Sequence, residues 1–203
     1  SAATSAKAQP RPGGAFRARG HSLSPMLASG AIQRLYRTIG LLAPSRINVL
    51  IVGETGSGKE VAARALHDRS ERARLPFVPI NCASMPASLL ESELFGNERG
   101  ASTGADRAKP GLIEAATGGT LLLDEVGEMP MATQAKLLRV LEQREVWRVG
   151  SLQARAIDVR FIAATNRSLE AMIENGSFRQ DLFFRLDGLT LHVPPLRDRA
   201  DDI

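Results

Sequence analysis

The sequence predicts an α/β fold: a parallel sheet covered by helices on both faces. Two observations carry that expectation. Short, nearly all-apolar runs recur along the chain and alternate with helical stretches, as in sheets buried on both sides. The first of these runs, INVLIVG (47–53), passes directly into a glycine-rich turn, GETGSGKE (53–60), and then into a helix.

Taken in order, residues 1–23 are rich in Ala, Ser, Pro, Gly and Arg and read as a flexible basic linker. A helix is expected over 25–43, where Leu27, Ile32, Leu35, Tyr36 and Ile39 fall on one face. The first strand covers 47–53 and the helix KEVAARALHDRS follows it. FVPINC (77–82) is the second strand and ASLLESELFG the next helix. TLLLDE (120–125) is the third strand, followed by ATQAKLLRVLEQ (132–143), a helix with Leu137, Leu138 and Leu141 on its buried side. DVRFIAATN (158–166) is the fourth strand and LTLHV (189–193) the fifth, with short helical pieces SLEAMIENG and FRQDLFFRL between them. Right-handed crossovers join such strands into a five-stranded parallel sheet between two helical layers.

Composition narrows the function. At 203 residues and 43% hydrophobic, the chain supports one domain with a real core. No run approaches the ~18 apolar residues of a membrane span, and the start has no apolar signal-peptide core. One cysteine, Cys82, forms no internal disulfide, which fits a reducing cytoplasm, and three scattered histidines argue against a Cys/His metal site. The first acid is Glu54. Of the 26 Lys and Arg, seven precede it, so 22 acids face 19 bases afterwards. The basic head reads as a solvated linker, with nucleic-acid contact the alternative.

GETGSGKE is the strongest motif. It fits G-x-x-x-x-G-K between a strand and a helix, the setting in which such a loop binds phosphate. Gly53, Gly56 and Gly58 let the backbone curl so that the N–H groups of Glu54, Thr55, Ser57 and their neighbours face phosphate oxygens, and the next helix offers its positive end. Lys59 reaches the β- and γ-phosphates of a nucleotide. Glu60 stands where the general motif has a magnesium-binding Ser or Thr. TLLLDE supplies another ligand: Asp124 is positioned to hold Mg²⁺, and Glu125 to orient and deprotonate water. Asn81, Thr165 and Asn166 end the second and fourth strands at the same edge, as site residues or as turn residues. Arg179 and Arg185 have no acid at helical spacing that serves both; they are surface residues or arginines acting on a neighbouring subunit. No N-K-x-D guanine-reading motif and no H-R-D stretch points to a GTPase or a kinase, and intact Lys59, Asp124 and Glu125 argue against an inert scaffold.

Together GETGSGKE, NCASMPASLLESELFGNERGASTGA, GGTLLLDEVGEMP, LLRVLEQREVWRVG, DVRFIAATNRSLE, FRQDLFFRL and PPLRDRADDI resemble the central AAA+ ATPase domain of sigma-54-dependent transcriptional activators, the NtrC-like bacterial enhancer-binding proteins, over residues 24–203. The resemblance implies an AAA+ P-loop core, a cytoplasmic homo-oligomeric ring, usually a hexamer, and ATP hydrolysis that remodels sigma-54 RNA polymerase for promoter opening. It implies that Glu60 after Lys59 is ordinary in this family, that Asp124 and Glu125 are the Walker B pair, and that Asn81 restrains the catalytic glutamate. It makes Asn166 the first sensor and Arg179 and Arg185 trans-acting. Gly100, Ala101, Ser102, Thr103, Gly104 and Ala105 stand where the family has the sigma-54-gripping G-A-F-T-G-A loop. Ser102 replaces its Phe, so contact with sigma-54 is altered or lost; in the latter case the chain is a nucleotide-gated regulator working by another route. The family's helical lid and its DNA-binding helix-turn-helix are expected to lie beyond these residues.

Overall fold

The computed structural model describes residues 30–100, 107–195 and 197. The expectations placed on 1–23, on Leu27 and the start of the first helix, on Ala101, Ser102, Thr103, Gly104 and Ala105, and on most of PPLRDRADDI lie outside these residues.

The elements follow the apolar pattern. Helix α1 (Gly30–Leu42) buries Ile32, Leu35 and Ile39, one stripe at helical spacing. Strand β1 (Val49–Val52) leads through the glycine loop into α2 (Lys59–Asp68), which buries Ala62, Ala63, Leu66 and His67. Strand β2 (Phe77–Asn81) precedes α3 (Ala87–Phe95). A two-residue hairpin, β3 (Gly96–Asn97) with β4 (Lys109–Pro110), flanks the segment 98–108, and α4 (Leu112–Ala115) follows. Strand β5 (Thr120–Asp124) ends in a 3-10 turn (Val126–Glu128), after which α5 (Met131–Gln143) starts. A second hairpin joins β6 (Glu145–Trp147) to β7 (Ala154–Ala156). Strand β8 (Arg160–Thr165), α6 (Leu169–Glu174), α7 (Gln180–Leu186) and β9 (Thr190–His192) complete the order.

The five main strands form one parallel sheet in the order β2-β5-β8-β1-β9. Its inner strands alternate between two cores, as the two-residue period of a strand requires. Leu121, Leu123, Phe161 and Ala163 pack with α3, α5, α6 and α7; Leu122, Ile162 and Ala164 pack with α1 and α2. On α5 the buried side is Leu137, Val140 and Leu141, with Leu138 half-buried at its border. The two hairpins and α4 were not expected, because strands of two or three residues carry no periodicity. They are tied together: the N–H of Glu98 donates to Val149 O at 3.0 Å and that of Val149 to Gly96 O at 2.9 Å. Arg148 pairs with Glu114 at 2.7 Å and with Glu98 at 3.3 Å. Gly96 has φ +79, and a Cβ there would lie 2.5 Å from Lys109 O, so only glycine fits.

Two buried polar groups hold the lower end of the sheet. The Arg160 guanidinium donates to the carbonyls of Leu42, Ala43 and Ile47, which caps the C-terminus of α1. His67 is within 3.0 Å of Thr120 Oγ1 through Nδ1 and lies against the Phe77 ring. No helix among the described residues is long and apolar enough to cross a membrane.

Burial holds the His67 pKa below the ordinary value, with Arg64 and Arg160 acting in the same direction and Asp68 and the Leu75 backbone against them. Folding therefore favours the neutral ring. Its contribution is whole above the ordinary histidine value of about 6.5 and is lost as pH falls below it, where the unfolded chain binds a proton the folded one refuses. The unfolding midpoint should drop as pH falls below about 6.5. His67→Asn, which keeps a polar group towards Thr120, should flatten that part of the profile; an identical pH slope in the two proteins would remove His67 as its source.

Candidate functional site

All five parallel strands end at one edge, and the polar residues gather there. The loop after β1 turns through left-handed backbone at Gly56 (φ +75) and Gly58 (φ +92), which is where glycine is required. Gly53 is needed for space instead: a Cβ there would meet Ser57 Oγ at 2.7 Å. The loop is pinned to the sheet by the Gly53 N–H, which donates to Thr165 O at 3.2 Å. Lys59 opens α2 with a side chain only 6% exposed. Its ammonium curls back over the loop, donating to Gly53 O at 3.0 Å and Glu54 O at 3.3 Å. The exposed Glu54 carboxylate accepts from Arg197 Nη1 at 2.8 Å, which holds its pKa below the usual carboxylate value. Thr55 and Glu60 are exposed at the rim, and Ser57 is buried beneath it.

The acids come from β5. Asp124 ends the strand beside Asn81, its register partner on β2, and accepts a hydrogen bond from Asn81 Nδ2 at 3.2 Å. The same Asn81 accepts the Ala83 N–H at 2.9 Å, so it is a turn residue and a site residue at once. Burial raises the Asp124 pKa, and the negative charges of Glu125 and Glu60 push in the same direction. This excess of negative charge fits a divalent cation, which Asp124 is placed to hold. Among the described residues no group of three or more His, Cys, Asp or Glu could hold a metal ion, so the remaining ligands would be phosphate and water oxygens.

Glu125 adopts left-handed backbone, φ 51 and ψ 49, unusual for a residue with a side chain. The turn aims its carboxylate at the phosphate loop. Oε1 lies 3.2 Å from Lys59 Nζ, and Oε2 accepts the Asn166 N–H at 3.2 Å. The Asn166 amide donates to Thr55 Oγ1 at 2.8 Å. Lys59, Thr55, Glu125 and Asn166 thus form one connected group, with Asp124 and Asn81 next to it. Asn81 reaches Asp124, while Glu125 is held by Lys59 and Asn166. Thr165 belongs to the turn: it is fully buried and accepts the Arg167 N–H at 3.0 Å.

The two arginines of FRQDLFFRL do not join this group. Arg179 precedes α7 and makes a two-pronged pair with Asp181, at 3.0 Å and 2.7 Å. Arg185 lies 3.9 Å from Glu142 of α5. Its carbonyl accepts from Asn48 at 2.8 Å, below the start of β1, whereas the phosphate loop lies beyond the other end of that strand. α7 also packs on the sheet face opposite α2. The sequence reading did not pick out Asp181, although it stands two residues after Arg179, nor the bond from Asn166 to Thr55, which no spacing signals. Of the small-residue loop only Gly100 is described; it is exposed and has φ +78.

Comparison with known proteins finds relatives over most of the chain. A family model described as Sigma-54 interaction domain matches residues 26–192. Regulatory protein AtoC of Escherichia coli is 55% identical over 175 residues, which are 86% of this chain and 38% of AtoC. The DNA-binding transcriptional regulator NtrC of Klebsiella pneumoniae is 51% identical over 85% of this chain and 37% of its own. The chain thus spans little more than a third of these relatives. The crystal structure of NtrX from Brucella abortus in complex with ATP superposes with a TM-score of 0.79 at 44% identity, covering 86% of this chain and 37% of that one. The fold is that of an AAA+ P-loop NTPase core.

Cys82 sits directly behind the acids, its N–H donating to Asp124 O at 2.8 Å. Burial, with Asp124 and Glu125 behind it, pushes the thiol pKa up to about 12. At pH 8 the folded chain should react with a thiol reagent roughly 10³-fold more slowly than the same chain in denaturant, since the thiolate is the reactive form. Comparable rates in both conditions would show that the thiol is neither buried nor electrostatically suppressed.

Proposed function

The chain belongs to the Sigma-54 interaction domain family, and from that premise and the geometry above we propose that it hydrolyses ATP and uses the energy to remodel sigma-54 RNA polymerase. The observation that carries the ATPase reading is the position of Glu125, held between Lys59 and the Asn166 N–H at the mouth of the glycine loop. The ATP complex of Brucella abortus NtrX supports nucleotide binding by this loop.

The residues divide the work. The backbone from Gly53 to Lys59 holds the phosphates, with α2 adding the positive end of its helix. Lys59 neutralises β- and γ-oxygens. Asp124 would hold Mg²⁺, which when bound supplies positive charge to the phosphates. Glu125 takes a proton from a water molecule as its oxygen bonds to the γ-phosphorus, and the bond from that phosphorus to the ADP oxygen breaks. Asn166 orients Glu125 and reads the loop through Thr55. Asn81 holds Asp124, the neighbour of Glu125, and restrains the glutamate through it when the site rearranges.

Arg179 and Arg185 act on the site of the next copy in a ring, an arrangement supported by their separation from their own phosphate loop. Such a contact is heterologous and closes into a ring when the rotation permits. The loop Gly100–Ala105 is the surface for sigma-54. A second reading, a nucleotide-gated regulator that does not engage sigma-54, is favoured by one observation, Ser102 in place of the family's aromatic residue. DNA contact by the whole protein would come from a helix-turn-helix outside this chain, in a bacterial cytoplasm.

Lys59→Ala should weaken ATP binding by roughly 10²-fold or more, because it removes positive charge from the phosphates and leaves the half-buried Glu125 carboxylate without its cation. Glu125→Gln should bind ATP but turn over roughly 10²–10⁴-fold more slowly. Equilibrium binding with a fluorescent ATP analogue and steady-state phosphate release check both; parental turnover in Glu125→Gln would remove it as the base. Ser102→Phe should tighten binding to purified sigma-54 by roughly ten- to a hundredfold, the gain from burying one aromatic side chain. Binding gained from none in the parent would favour the second reading.

A further inference from the structure

Gln134 is completely buried, and its side chain joins two turns that bear site residues. It sits in the first turn of α5, its N–H donating to Pro130 O at 2.9 Å. Its side-chain amide donates to Met129 O at 2.8 Å and to Ser177 O at 3.1 Å, and Oε1 accepts the backbone N–H of Arg179 at 2.9 Å. Met129 closes the turn that starts at Glu125: the Glu128 N–H donates to Glu125 O at 2.9 Å and the Met129 N–H to Val126 O at 3.1 Å. Ser177 and Arg179 flank the buried Phe178 at the entrance to α7. One side chain therefore links the backbone carrying the water-activating carboxylate to the backbone carrying the first arginine.

A buried primary amide is costly unless satisfied, and an aliphatic residue of similar size would fill the same space without an amide to satisfy. The three bonds give the glutamine a purpose that volume does not. Asp181 fixes the far end of Arg179, the guanidinium; Gln134 fixes its near end, the main chain.

We propose that Gln134 is a positioning residue: it sets the main chain of Arg179 relative to the turn after Glu125, and so delivers that arginine at the correct height to the ATP site of the adjoining copy. This rests on the reading above that Arg179 acts between copies. A misplacement of about 1 Å at such a group can cost roughly 10² in rate.

The test uses the full chain with Gln134→Leu, Gln134→Asn and Gln134→Glu. ATP affinity, kcat and thermal unfolding are measured for each, and kcat again after mixing with Lys59→Ala subunits. Those subunits hydrolyse nothing but bring an intact Gln134 and Arg179. Gln134→Leu should bind ATP within about twofold of the parent and lose roughly tenfold or more in kcat. Addition of Lys59→Ala subunits should restore turnover at the sites of the Gln134→Leu subunits. Gln134→Glu, neutral when buried, keeps a donor and an acceptor and should stay within a few-fold of the parent. Gln134→Asn keeps the amide but is one methylene short and should behave like the leucine variant, which preserves the test if Gln134→Leu does not fold. Parental kcat in Gln134→Leu or Gln134→Asn, or a loss that no mixing ratio restores, overturns the proposal. The two failures are separable. Parental turnover in Arg179→Ala sinks the trans-arginine reading and this inference with it, whereas an inactive Arg179→Ala beside a fully active Gln134→Leu sinks the inference alone.

Discussion

Strands β5 and β8 are buried on both faces, so they carry apolar side chains along almost their whole length and polar ones only where they leave the core. Every residue from Thr120 to Leu123 and from Arg160 to Thr165 is buried. Parallel pairing then brings the polar C-terminal ends together on one edge: Asn81 beside Asp124, and Val52, just before the glycine loop, beside Thr165. The site is the consequence of that constraint. A chain forced to keep its carboxylates at strand ends, in a sheet where all strands run the same way, collects them opposite the glycine loop and its lysine.

The electrostatics of that edge are deliberately unbalanced. Glu60, Asp124 and Glu125 stand near the buried cation Lys59, and burial, with the neighbouring negative charges adding to it, raises the pKa of Asp124 and of the Cys82 thiol. Pairing of Lys59 with Glu125 relieves part of it. In low-dielectric surroundings an unpaired member of such a pair is expensive, so the lysine and the glutamate constrain each other's position as well as each other's charge. The left-handed backbone at Glu125 belongs to the same arrangement. A regular continuation of β5 would direct the residue after Asp124 elsewhere, and the turn redirects it to Lys59 and Asn166.

The opposite face of the sheet is organised around α5 and α7. Polar side chains do the locating there: the buried Gln134 ties α5 to the entrance of α7, and the half-buried Asn48 ties the exit of α7 to the base of β1. The arginines so held lie away from their own phosphate loop, each occupied by its own acid, Asp181 or Glu142. The two hairpins form a further unit, joined through Val149 and the Arg148 pairs, that flanks the segment beginning at Gly100.

Much of this was readable before any coordinates. Apolar runs marked the five strands, and GETGSGKE and TLLLDE marked the loop and its acids, because burial period and glycine conformational freedom are local properties written in adjacent residues. Helix boundaries shifted by a few positions, and Val140 took the buried place expected of Leu138, since the face a helix buries is decided by what packs on it. The hairpins, the left-handed turn at Glu125, the bond from Asn166 to Thr55 and the role of Gln134 were not readable. Each depends on partners 41 to 111 residues apart in the chain, or on a strand too short to show a period. Sequence alone determined which polar groups end the strands and at which edge of the sheet they gather. Only the tertiary structure decided which of them touch, because hydrogen bonds act over about 3 Å, a distance set by the packing of whole elements that no local pattern encodes.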